Sequence, residues 1–133
     1  MHRHDERGAA AVEFALLCIP LFLILLGTIE FGFALYAKQA VVSAAREGAR
    51  AGIVQQTPKL SATAIQGIVA GYLSQLGFVA APTVTVTGAQ LSNPANLTVQ
   101  VIYPYRPMTG LPALVPGLQN PIRISGQVVM VHE

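Results

Sequence analysis

The stretch Arg7-Gly8-Ala9-Ala10-Ala11-Val12-Glu13-Phe14-Ala15-Leu16-Leu17-Cys18-Ile19-Pro20-Leu21-Phe22-Leu23-Ile24-Leu25-Leu26-Gly27-Thr28-Ile29 decides how this chain is organised. From Ala9 to Ile29 every residue is apolar or small except Glu13 and Thr28. As a helix those residues span about 31 Å, close to the thickness of a bilayer's hydrocarbon core. A carboxylate inside that layer costs about 2.5–3.5 kcal/mol at mid-depth and less toward the edge. An anchor alone gains nothing from that cost, so Glu13 is the first candidate functional residue.

Outward from the apolar run, the eight residues Met1–Gly8 form a short polar head. A cleaved secretory signal would need small residues after the apolar core, and Gly27-Thr28-Ile29-Glu30-Phe31 is a poor site, so a retained membrane helix is expected. Charge does not orient it: Arg3 and Arg7 flank one end, and Lys38, Arg46 and Arg50 follow the other. Cys18, the only cysteine, lies within the run. It excludes an intramolecular disulfide and reads as a small hydrophobe facing lipid or another helix. Pro20 leaves the Leu16 carbonyl without its helical donor, which implies either a modest kink or a point of flexibility.

The helical pattern continues past the membrane exit without a proline until Pro58. One helix from 9 to 54 would be about 68 Å long, with a membrane half over about 9–30 and a projecting half beyond it. Ala40, Ala44, Gly48 and Gly52 recur every four residues and form a ridge of small residues that permits close packing. The surface packed there is either the chain's own domain or a neighbouring subunit.

Residues 58–133 change in character. Lys59–Leu76 has helical spacing, closes at Gly77, and has Ser61 or Thr57 as an N-cap. Thr83–Thr87 and Leu97–Tyr103 alternate as strands. Ile122–Val131 is a third strand in which Gly126 suggests a bulge or bend. The intervening loop, Pro104–Leu118, holds four prolines and two glycines together with Met108, Leu111, Leu114, Val115 and Leu118. That apolar content suits a loop covering the core. The expected fold is α+β: a long N-terminal membrane helix, an amphipathic helix and a small antiparallel sheet of about three strands.

Chemistry is sparse. The hydrophobic fraction is 53% and the charged fraction 11%, and eight basic against six acidic residues occur in ones and twos. No basic block suited to nucleic-acid phosphates is present. Between Pro58 and Val131 there is no Asp, Glu, Cys or His. An enzymatic role, a metal site and a cofactor are therefore not expected. A processing site is expected instead. Gly8 gives backbone freedom and Ala9 little bulk. Cleavage between them would create an amine at Ala9, four residues before Glu13. In a bundle, the Glu13 carboxylate of one chain can pair with the Ala9 amine of another, each offsetting the other's desolvation and setting axial register.

Three blocks in order, Arg7–Leu16, Gly27–Gly32 and Ala44–Arg50, resemble the TadE-like family, pseudopilins of tight-adherence (Flp-type) pilus machines related to type IV pili. The likeness covers residues 7 to about 52. It implies an inner-membrane protein, N-terminus cytoplasmic and C-terminal domain outside the cytoplasm, cut after Gly8 by a prepilin peptidase. Residues 1–8 would be the leader and Glu13 the fifth residue of the mature chain. Phe14 stands beside Glu13 where the major pilins usually have a tyrosine, and the domain is far larger than theirs. A minor pseudopilin or assembly factor is thus implied, with other pilins, pilus-machine membrane proteins and the bilayer as partners. The resemblance assigns no chemistry to the blocks around Glu30 and Ala44–Arg50; their residues read as packing, with Glu30 and Arg46 or Arg50 as candidate inter-subunit ion pairs. The alternative is an uncleaved single-pass scaffold that binds other machine components.

Overall fold

A computed structural model of the chain describes residues 3–54, 58–91, 95–110, 116–117 and 120–131, with side chains from Gly8 onward. The architecture is α+β. Helix α1 is Arg3–Ile53, α2 is Ala62–Gln75, and strands β1 (Thr83–Thr87), β2 (Asn96–Tyr105) and β3 (Ile122–Val131) follow. The 51 residues of α1 make a rod about 76 Å long. It begins inside the polar head and passes through Gly8 without a break.

Local chemistry sets the limits of α2. Ser61 is extended and its hydroxyl accepts from the Ala64 amide at 3.2 Å, so the helix starts at Ala62, three residues later than the periodicity from Lys59 suggests. Thr57, the other cap considered, lies outside the described residues. At the far end Gly77 has φ 86°, Phe78 N–H donates to the Leu73 carbonyl and Gly77 N–H to that of Ser74, both at 3.0 Å. These two bonds close α2 as a Schellman motif and turn Phe78 inward.

The sheet is an antiparallel meander in the order β1-β2-β3. Leu97, Val99, Val101, Tyr103 and Tyr105 of β2 point into the core, with Ile124 of β3 and the half-buried Val84 and Val86 of β1 beside them. α1 crosses this face over β2 and β3, while α2 packs on α1 and β1. The expected bulge at Gly126 is absent. Val101 pairs with Gly126 in a register that runs unbroken from Asn96↔Val131 to Tyr105↔Ile122. A Cβ at Gly126 would meet Val41 and the Val42 backbone at 3.2 Å. The missing side chain admits the helix, and the strand stays regular.

The small-residue ridge explains that approach. Ala37, Ala40, Val41, Ala44, Ala45 and Ala49 are buried with Ile65, Val69 and Leu97. Gly48 and Gly52 lie so close to α2 and β2 that a Cβ on either would come within 2.5 Å of Val69 Cγ2 or Leu97 Cδ2. Within this chain the ridge Ala40, Ala44, Gly48, Gly52 faces the chain's own domain. Of the apolar loop between β2 and β3, Leu111, Leu114, Val115 and Leu118 lie outside the described residues. Met108 is described and is exposed.

Candidate functional site

Two carboxylates on α1, Glu13 and Glu30, lie in opposite surroundings. The first, Glu13, lies on the part of the rod that touches no other element. Gly8, Ala9, Glu13 and Phe14 are all exposed, as are nearly all residues up to Ile29. This is the one described helix long and apolar enough to cross a membrane, and its most apolar window has nothing packed on it. Leucine, isoleucine and phenylalanine in such numbers, bare along two-thirds of a bilayer thickness or more, require a nonaqueous surrounding. Cys18 is half-buried within this segment and is free.

The second carboxylate, Glu30, lies at the point where the rod enters the domain and is only 8% exposed. Its Oε1 accepts from the Tyr105 hydroxyl at 2.7 Å and the Met108 amide at 3.2 Å. Its Oε2 accepts from the Thr109 amide at 2.9 Å and the Thr109 hydroxyl at 2.8 Å. The donors lie 75–79 residues away in sequence, at the end of β2 and in the loop after it. A buried carboxylate supplied with four donors is a strong, geometrically specific tie. It fixes the loop to the helix and therefore the domain to the membrane segment.

Tyr105 shows the electrostatic consequence. Burial first, then the hydrogen bond to Glu30 and its negative charge, push the phenol up to about 12. Ionisation is easier in the unfolded chain, where the phenol titrates near 10. The tyrosine's contribution is therefore complete below about pH 10 and disappears as pH rises to about 12, a change of about 2–3 kcal/mol. In detergent-solubilised protein, Tyr105→Phe is expected to lower stability at neutral pH and flatten the decline between pH 10 and 12. Denaturant titrations at a series of pH values measure both.

An inter-subunit pairing of Glu30 with Arg46 or Arg50 is not what this chain displays: the Glu30 oxygens are engaged within the chain. Arg50 instead contacts Glu47, three residues earlier, at 3.2 Å on the exposed side of α1, a pair of small energetic weight. Arg46 is exposed on the same side. Gly8, Ala9 and Glu13 lie at the opposite end of the rod from this cluster. Sequence reasoning singled out Glu30 but missed Tyr105 and Thr109. The available signal was a lone carboxylate flanked by Ile29, Phe31 and Phe33, which needs donors from elsewhere. Among the described residues, no group of three or more His, Cys, Asp or Glu converges as a metal site would require.

The geometry defines a class: a small α+β domain carried on the projecting half of one long, apolar, N-terminal helix. Within that class, residues 8–50 match the family model described as TadE-like protein. The match covers the bare apolar segment, Glu13, Glu30 and most of the ridge, and it stops before α2. No curated protein matches the chain, and no solved structure does.

Proposed function

We propose that the chain is a minor pseudopilin, a structural assembly component of a tight-adherence, type IV-like pilus. The observation that carries this reading is the placement of the TadE-like match on a helix whose apolar part is bare and holds an exposed Glu13. A helix of that kind can exchange lipid for the helices of neighbouring subunits. The leader, residues 1–8, is removed between Gly8 and Ala9 by a prepilin peptidase at the cytoplasmic face of the inner membrane. The domain from 58 to 133 stands outside the cytoplasm. The new Ala9 amine of one subunit then meets Glu13 of the next and sets their axial register, with Phe14 beside it. Other pilins and membrane proteins of the machine are the partners.

One observation favours the alternative of an uncleaved scaffold: α1 is helical through Gly8 and Ala9, so that turn must open before a peptidase can cut it. Intact mass of the protein from membranes, with and without an active prepilin peptidase, separates the two. Loss of residues 1–8 only with the peptidase supports the pseudopilin; an unshortened chain in both supports the scaffold. Glu13→Ala is expected to leave processing intact and to reduce recovery in sheared fibres at least about tenfold, because it leaves the Ala9 amine buried without a counter-charge. Immunoblots of fibre and membrane fractions measure that ratio.

A further inference from the structure

The end of the domain nearest the bare helix has a surface whose chemistry differs from the rest. Glu30 bonds the Met108 and Thr109 amides, which puts the loop after β2 at the level of Glu30. Tyr36, about 9 Å farther along the helix, stacks on Phe78 with ring centroids 5.9 Å apart, which puts the loop between α2 and β1 at that level. If the hydrocarbon layer ends near Ile29, the headgroup layer reaches roughly 5–7 Å beyond it. The loop after β2 then lies within the headgroup layer, and the loop between α2 and β1, about 10 Å beyond Ile29, lies just above it, where an exposed side chain can reach down to the headgroups.

Their exposed side chains suit that position. Val79 is 97% exposed and Met108 73%. Phe31, Phe33 and Leu35 extend the bare apolar surface of α1 past Glu30 and up to the same loops. A cleft of about 540 Å³ brings Val79, Arg106 and Pro121 together. Arg106 follows the end of β2, and Arg123 pairs across the sheet with Pro104 at the same end; both are exposed. Neither forms an ion pair among the described residues, and the chain has no acidic residue between Glu47 and Glu133. Apolar tips flanked by uncompensated arginines are complementary to an interface of acyl chains below and anionic headgroups above.

We propose that this rim of the domain rests on the bilayer, with Val79 and Met108 entering the interface and Arg106 and Arg123 facing the phosphates of anionic lipids. The proposal relies on the reading that α1 spans a membrane, and goes beyond it by assigning the domain a second, peripheral contact with lipid. The domain is then held upright by two ties at its membrane end: Glu30 to its own loop, and the rim to the headgroups.

The full chain contains no tryptophan, so single-tryptophan variants report position directly. Val79→Trp, Met108→Trp, Leu23→Trp and Val129→Trp are reconstituted in vesicles of phosphatidylcholine and phosphatidylglycerol in roughly a two-to-one ratio. Val129 is exposed on the outer sheet face away from the rim, opposite Thr98. Residues at the interface lie roughly 5–10 Å into the headgroup and acyl boundary, so brominated acyl chains should quench Val79→Trp and Met108→Trp at least about threefold more than Val129→Trp. Adding Arg106→Gln and Arg123→Gln should reduce that quenching by about half in anionic vesicles and leave it unchanged in pure phosphatidylcholine. Quenching of Leu23→Trp with Val79→Trp and Met108→Trp no different from Val129→Trp would overturn the proposal alone. Blue-shifted rim emission without lipid quenching would also overturn it, because the rim would then be covered by another copy of the chain. An unquenched Leu23→Trp would instead remove the membrane reading itself, and the proposal with it.

Discussion

Glu30→Ala is expected to release the loop after β2 and to destabilise the domain by about 3–5 kcal/mol. The size follows from what is left behind. The Tyr105 hydroxyl and the Met108 and Thr109 amides all donate to this one carboxylate, and alanine leaves them facing a void. Each orphaned, poorly hydrated donor costs about 1–3 kcal/mol. Part of the total is recovered if the loop swings out to water. Two readouts distinguish the terms. Thermal or denaturant unfolding gives the sum, and hydrogen exchange at Met108 and Thr109 shows whether the loop has detached. Glu30→Gln should fall between, since its carbonyl can still accept while its amide faces donors with another donor. Unchanged exchange at Met108 and Thr109 in Glu30→Ala would show that the carboxylate does not hold the loop.

Gly48→Val is expected to cost about 3 kcal/mol or more, and Gly48→Ala about 1–2 kcal/mol net. A Cβ at Gly48 would lie 2.5 Å from Val69 Cγ2 and 3.4 Å from Ile65 Cγ2. Val69 is fully buried and branched at Cβ, so it has no free rotamer to escape into. α1 and α2 must move apart, and every contact of the ridge loosens with them. Gly52→Ala meets Leu97 Cδ2 at 2.5 Å and Ile65 Cδ1 at 2.7 Å, the mobile ends of longer side chains. It should be milder, with the clash offset by alanine's helix preference of about 1 kcal/mol. The order Gly48→Val, Gly48→Ala, Gly52→Ala in falling cost, measured by denaturant unfolding in detergent, tests whether the ridge packs within the chain. A reversed order, or no cost with loss of fibre recovery, would place the ridge between subunits instead.

Much of the fold was legible because it is written in short-range pattern. The continuous apolar run, the absence of proline from Leu21 to Thr57, and the alternation of Thr83–Thr87 and Leu97–Tyr103 each define an element from neighbours a few residues apart. Ser61 and Gly77 mark the ends of α2 for the same reason, since a cap acts within one turn. Gly126 was the instructive failure. A glycine in a strand marks either a bulge or a close approach, and only the position of Val41 and Val42 in the folded chain chooses between them.

The candidate sites divide along the same line. Gly8, Ala9 and Glu13 are proposed from the sequence because one carboxylate stands beside a polar head in a segment that is otherwise apolar. Glu30 was conspicuous for a similar reason, but its partners were not, because Tyr105 and Thr109 are met only after the chain has built α2, run through β1 and β2 and returned to α1. By itself the sequence determined a membrane-length helix, its continuation as a rod, and the helix and strands that follow. The tertiary structure alone decided what that rod touches: the ridge against α2 and β2, Gly126 against α1, and the β2–β3 loop on Glu30. The physical reason is range. Periodicity and caps are settled within a turn or two, whereas a buried carboxylate takes its donors from whatever the packed chain brings within 3 Å or so.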